Sequence, residues 1–219
     1  SFQAALASGK ITSESRLYKC PACSTECVFS VCERCGEIAK KAFYCSVCGI
    51  LDAACDHDQL SPYQKREIDV RDLFSSIQKK TGDRQLPDLI KGVRGTSNKE
   101  HVPEHLAKGI FRAQNGVCVN KDGTTRYDMT QLVVTHFRPE EIGTSAQRLV
   151  ELGYETDLEG NPLTEKSQLL ELKPQDVILP GDSGSPEEGA NHILFRTAKF
   201  IDSLLTKLYK LPAFYDLSS

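Results

Sequence analysis

Eight of the chain's nine cysteines lie between residues 20 and 55, and six of them form three C-x2-C pairs: Cys20 with Cys23, Cys32 with Cys35, and Cys45 with Cys48. Two thiolates at this spacing reach one tetrahedral ion from a tight turn, so the chemistry on offer is zinc binding. Gly36 and Gly49 follow the second and third pairs, where a zinc knuckle needs a residue free to take positive φ. The first two pairs, separated by a hairpin-sized loop, make the simplest four-ligand site. The third pair then needs two more ligands, and Cys55 with His57 or Asp58 are nearest. An interleaved arrangement, first pair with third, is the alternative. Cys27 has no partner at ligand spacing and reads as a small loop residue. A closed four-ligand site leaves no position for water, so one or two structural zinc ions are expected, without which this segment has too few large apolar residues to fold.

The rival reading of the same cysteines is a disulfide framework. SFQAALASGK has neither the basic start nor the apolar core of a secretory signal, and no run reaches transmembrane length. A soluble chain in a reducing cytoplasm is therefore expected, with no membrane partner, and there paired thiols serve as metal ligands. Apolar residues at 39% and charged ones at 26% suit one medium domain plus a zinc module, or two small domains. Trp is absent, so no stacking platform for single-stranded nucleic acid stands out. Residues 61–130 carry 13 Lys and Arg against 9 Asp and Glu, whereas residues 139–219 carry 7 against 14. The middle could face a polyanion, although a solvated charged face is the plainer reading.

The elements that must hold these residues follow from periodicity. Phe2–Ala7 suggests a helical turn and Ser61–Tyr63 a linker. Asp69 caps a helix whose Val70, Leu73, Phe74 and Ile77 recur at helical spacing, with Gly82 ending it. Leu89–Gly95 is a strand-like run in which glycines flank Val93, a place for close backbone approach. A helical turn is expected after Pro103. Asp122-Gly123 between two β-prone runs predicts a type I′ hairpin over residues 117–127, with Cys118 as a half-buried strand residue. Leu132–Phe137, Gln168–Leu172 and Val177–Leu179 read as strands. Thr144–Gln147 reads as a capping box opening a helix to Leu152, stopped by Gly153. Residues 181–189 read as a mobile acidic loop, and Ile193 to Leu208 as one amphipathic helix closed by Pro212.

Other catalytic constellations are missing. There is no phosphate-binding glycine loop, H-E-x-x-H or G-x-S-x-G. His101 and His105 are expected at the surface, and no D-x-D pair stands outside the zinc stretch to hold two metals. The fold class is α+β: a zinc ribbon and then a β-rich domain with flanking helices. The expected divisions are a lead-in over 1–15, the zinc ribbon over 16–60, a linker helix over 61–85, the β-rich part over 86–189, and a terminal helix and tail over 190–219.

Read as strings, SPYQKREIDVRDLF, LPDLIKGVRGTSNKEHVPEHLAKGIFRAQNGVCVNKDGTTRYDMT, THFRPEEIG, LVELGYETDLEGNPL and LELKPQDVILP resemble the large subunit of the archaeal family D DNA polymerase. The preceding YKCPAC, CERCG and YCSVCG are similar to its zinc module, so the resemblance runs from about residue 16 to residue 215. It implies a DNA-directed DNA polymerase, a nucleotidyltransferase built on two double-psi β-barrels, of which this chain supplies the zinc module and the opening part of the second barrel. The family's metal-binding aspartates lie downstream, so the resemblance implies magnesium for the complete enzyme, not bound by this chain, and no polymerisation by this chain alone. The implied partners are primer-template DNA, dNTP, the small exonuclease subunit and the remainder of the large subunit. Lys91 matches the family's phosphate-facing barrel lysine, with Arg94 second; Lys99, His136 and Arg138 are the implied DNA or phosphate contacts. The family's fourth zinc pair is C-x2-C, where this chain has Cys55-Asp56-His57-Asp58. A free-standing zinc-ribbon adaptor without catalysis is the alternative function.

Overall fold

The computed structural model describes residues 2–53, 55–57, 60–81, 87, 89–93, 102–126, 133–179 and 189–215. They form two compact units, residues 1–126 with 193–219, and residues 127–192. The expected boundaries at 15, 60, 85 and 189 do not follow this division.

The first unit opens with helix α1 (Phe2–Ser8), ended by Gly9 at φ +86. Arg71 holds that end, donating to the carbonyls of Leu6 at 3.1 Å and Ala7 at 2.6 Å. Strand β1 (Lys10–Arg16) pairs antiparallel with β8 (Tyr63–Asp69) over seven residues, Lys10 opposite Asp69 and Arg16 opposite Tyr63. Of residues 61–63, expected as a linker, Ser61 ends strand β7 (Leu60–Ser61) and Tyr63 starts β8, with Pro62 as a bend between them. Between β1 and β8 lie two small sheets. One is β2 (Tyr18–Lys19) flanked by β3 (Glu26–Cys27) and β4 (Lys40–Lys41); the other is β5 (Phe43–Cys45) flanked by β6 (Gly49–Leu51) and β7. Cys27 is therefore a buried strand residue, not a loop residue.

Helix α2 (Val70–Thr81) starts where the Asp69 carboxylate accepts from the Asp72 N–H at 2.9 Å, and it buries Val70, Phe74 and Ile77. Helix α3 (Leu106–Gln114) buries Ala107, Ile110 and Phe111, and α5 (Ala190–Ser203) continues into a wider π-helical turn over Leu204–Leu208. One core joins these elements: Ile68, Phe74, Ile77, Ile90, Ile110, Phe111 and Leu208, together with Val28, Phe29 and Val31 from the loop between the first two cysteine pairs. The cysteine region is thus continuous with the main core. Phe29 alone contributes about 2 kcal/mol by the area it removes from water.

The second unit holds β9 (His136–Phe137) paired with β10 (Leu170–Glu171), a 3-10 turn over Pro139–Ile142 and helix α4 (Ala146–Glu151). Its core is Phe137, Ala146, Leu149, Tyr154, Leu163 and Leu170. The α4 cap is Ser145, whose hydroxyl accepts from the Arg148 N–H at 3.1 Å, so the expected Thr144–Gln147 box is displaced by one residue.

Strand content among the described residues falls mostly before residue 70; between 86 and 189 the described strands are β9 and β10. Residues 89–93 form no ladder, and neither does Val177–Leu179. The 117–126 stretch is a turn: Asn120 N–H donates to Thr124 O and Gly123 N–H to Asn120 O, with Gly123 at φ +88 and Asp122 not left-handed. That is the three-residue loop with a glycine bulge in place of type I′. Cys118 on it is exposed. Residues 181–188 lie outside the described residues. Among the described residues no helix is long and apolar enough to cross a membrane.

Candidate metal centres and the Lys91 loop

The antiparallel pairing of β2 with β3 and β4 sets Cys20 at the end of one strand and carries the chain round to Cys32 and Cys35. Each pair sits in a tight knuckle. Ser24 N–H donates to Cys20 O and Gly36 N–H to Cys32 O, both at 2.9 Å. The residue after each pair takes left-handed backbone, Ser24 at φ +57 and Gly36 at φ +85; Gly49, after Cys48, does so at φ +82. The first knuckle achieves with a serine what the other two achieve with glycine.

The ligand atoms of Cys20, Cys23, Cys32 and Cys35 all lie within 4.8 Å of one another. Sγ of Cys20 is 3.3 Å from that of Cys35, and Sγ of Cys23 is 3.6 Å from that of Cys32. A tetrahedral zinc with bonds of about 2.3 Å sets its sulphurs about 3.8 Å apart, a few tenths of an ångström from these two separations. Their electrostatics fit too. Cys23 is held down to about 6, chiefly by the Thr25 hydroxyl. Cys35 receives a lowering hydrogen bond from the Glu37 amide, but burial and the neighbouring thiols push it up to about 12. A divalent cation at the centre of such a set favours the thiolate form of its ligands.

A second group brings together Cys45, Cys48, Cys55 and His57, again within 4.8 Å, with Cys48 Sγ 3.3 Å from His57 Nδ1. Cys45 is buried in β5, opposite Gly49 on one side and Leu60 on the other. Three sulphurs and an imidazole are also a tetrahedral zinc set. The geometry groups first pair with second, and the third pair with Cys55 and His57, not first with third. Asp58 lies outside the described residues.

Cys27 and Glu33 approach Cys32 as a third group, but their roles are accounted for. Burial pushes the Cys27 thiol up, and the Glu33 carboxylate accepts from the Val28 N–H at 2.6 Å. Two cations lash this region to its neighbours: Lys80 of α2 donates to Cys32 O at 2.7 Å, and Arg66 of β8 to Cys27 O at 2.8 Å.

Lys91 stands exposed, its neighbour Ile90 buried in the core. A half-open cavity of about 490 Å³ lies beside Lys91 and Gly92, walled by apolar side chains including Phe29, Ile68 and Leu106. The Lys91 carbonyl accepts from Arg112 Nη2 at 3.2 Å, and the Val93 N–H donates to Glu104 Oε2 at 3.1 Å. Burial alone would raise Glu104, but the Arg112 guanidinium and the Val93 N–H outweigh it and hold the carboxyl below its ordinary range. His105, expected at the surface, is buried against Phe29 with ring centroids 4.5 Å apart, and its Nδ1 accepts from the Ala107 N–H as the cap of α3. Burial lowers it to about 4.

In the second unit, His136 is exposed with Nδ1 3.0 Å from the Thr135 hydroxyl. Arg138 is exposed, and its guanidinium lies 3.8 Å from Glu141. Arg94 and Lys99 lie outside the described residues. Sequence reasoning missed His105, Glu104 and Arg112. Only the Glu104 to Arg112 interval of eight residues hinted at the last two, and it crosses a loop-to-helix junction that periodicity does not read.

The family described as DNA polymerase II large subunit DP2, catalytic domain, matches residues 82–219. The DNA polymerase II large subunit of Archaeoglobus fulgidus is 43% identical over 215 residues, covering 96% of this chain and 18% of that protein. Those of Methanocella arvoryzae and Pyrococcus horikoshii are 40% and 39% identical over 213 and 220 residues, covering 95% of this chain and 18% and 15% of those proteins. The chain thus spans less than a fifth of the relatives it matches. Matched by the family over most of its length and aligned with these relatives through the cysteine knuckles as well, the chain belongs to the family of the DNA polymerase II large subunit DP2 catalytic domain.

Proposed function

We propose that this chain is part of the catalytic large subunit of a replicative, cytoplasmic DNA-directed DNA polymerase, supplying a zinc-stabilised scaffold and basic contacts to DNA and nucleotide phosphates. Residues 86–189 contribute to a double-psi β-barrel completed by the rest of the subunit, which also brings the magnesium-binding carboxylates. Primer-template DNA, dNTP and a small exonuclease subunit are the partners. The two cysteine groups hold structural zinc, Asp58 at most replacing His57 at the second. Zinc there fixes the fold and takes no part in nucleotidyl transfer.

Lys91 carries the reading. It is an exposed ammonium on a loop fixed by α3 on its backbone side, and a fixed cation offsets the charge that builds on phosphoryl oxygens in the transition state. Arg94 is proposed as a second phosphate-facing cation, with Lys99, His136 and Arg138 as further DNA or phosphate contacts. The test is Lys91→Ala in the complete two-subunit polymerase. Incorporation should fall at least about tenfold with primer-template affinity retained, as expected for a charge used in the transition state. An unchanged rate would sink the assignment.

A further inference from the structure

We infer that Glu104 and Arg112 form a positioning clamp for Lys91; this rests on the reading of Lys91 as a phosphate-facing group. The two side chains form a two-pronged ion pair, Arg112 Nη1 donating to Glu104 Oε1 at 2.7 Å and Nη2 to Oε2. The same pair grips the backbone on both sides of Gly92, Nη2 donating to the Lys91 carbonyl and Oε2 accepting from the Val93 N–H. Two bonds from this locked pair of side chains therefore hold the peptide units before and after one glycine. The residue they set in place is the exposed lysine.

Stability does not explain the pair. The side chains of Arg112 and Glu104 are 7% and 16% exposed, and a buried ion pair is at best a weak stabiliser against a well-packed apolar pair. Ile90 and Phe111 are buried nearby, and the Arg112 guanidinium lies 5.7 Å from the centre of the Phe200 ring, so an apolar pair would have had apolar neighbours. What an apolar pair cannot do is accept from Val93 and donate to Lys91. Gly109 supports the same conclusion: a Cβ there would meet the Lys91 carbonyl oxygen at 2.9 Å and Ile90 Cγ2 at 3.0 Å. Helix α3 approaches the loop as closely as a helix can, at the one residue without a side chain.

The experiment compares wild type, Arg112→Lys, Lys91→Ala and the double variant in the complete two-subunit polymerase. Arg112→Lys keeps the charge and loses the fork. Amide exchange in a peptide spanning residues 90–93 should quicken about tenfold or more while Ile110 and Phe111 in α3 stay protected. The kcat/KM for dNTP should fall, with primer-template affinity unchanged, and the loss should vanish in the Lys91→Ala background because the clamp acts through that lysine. Unchanged exchange at 90–93 overturns the clamp; a loss that multiplies onto Lys91→Ala overturns its action through Lys91. If Lys91→Ala is itself silent, the phosphate reading fails, and exchange still decides whether the clamp exists. Should Arg112→Lys unfold, Glu104→Gln, which keeps an oxygen for Val93 and loses the charge, gives the same readouts.

Discussion

His105 is the residue whose role departs furthest from its spacing. Paired with His101 at a helical interval it reads as a surface group, yet it caps α3 with Nδ1 and lies against Phe29. Caps are read from Ser, Thr, Asp and Asn, and a histidine in that place carries no signal in a string. Burial sets its folded pKa near 4, against about 6.5 in an unfolded chain. Between those values the unfolded state binds the proton and the folded state does not, so stability is full above about 6.5 and is lost as the pH falls towards 4. The loss approaches about 3 kcal/mol at the lower end, at 1.36 kcal/mol per pKa unit. Denaturant unfolding from pH 7 to 4 should therefore show a steeper decline for wild type than for His105→Asn, which keeps a capping oxygen and does not titrate. Parallel curves would remove His105 from the account. The cysteines were legible at this scale because ligand spacing is local; Glu104 and Arg112 were not, because their partners, Lys91 and Val93, lie across a stretch whose path no pattern gives.

At the scale of elements, α2, α4 and α5 could be read from their caps and apolar stripes. The longest ladder could not. Strands β1 and β8 are KITSESR and YQKREID, charged sequences with Ile11 and Ile68 as their only aliphatic residues, and they pair because the fold brings them together and not because they look β-prone. The run at 89–93 failed in the other direction: its Lys91 carbonyl and Val93 N–H bond to Arg112 and Glu104 and not to a neighbouring strand. The cysteine loop likewise belongs to the main core through Val28, Phe29 and Val31. Chelation of metal should therefore do more than loosen the knuckles. It should speed amide exchange in α2 and α3, while the separate core around Leu149 and Leu170 keeps its protection; α2 and α3 unchanged after complete metal removal would separate the knuckles from the core.

For the whole molecule, length and composition left open one medium domain plus a zinc module or two small domains, and the structure divides into two compact units. Their boundaries were not legible because residues 193–219 return to the first unit, a long-range choice that no local window records. The sharpest measurement at this scale is metal stoichiometry. Two zinc ions per chain are expected by mass spectrometry of purified protein, falling to one in Cys55→Ser, with the Cys20 group still loaded. One ion in the wild type would leave the second group a cluster of ordinary thiols.

The antiparallel ladder of β1 and β8 has a consequence for how this region can be rebuilt. The chain departs at Arg16 and comes back at Tyr63 directly opposite, so everything from residue 17 to residue 62 hangs from two adjoining ends, as an insertion does. A two-residue turn could close that gap in the backbone. It would not replace Phe29, so a shortened chain would keep its ladder and carry a hollow beneath the His105 ring, and grafting a different metal module here would succeed only if its loop arrived with a plug of the same size.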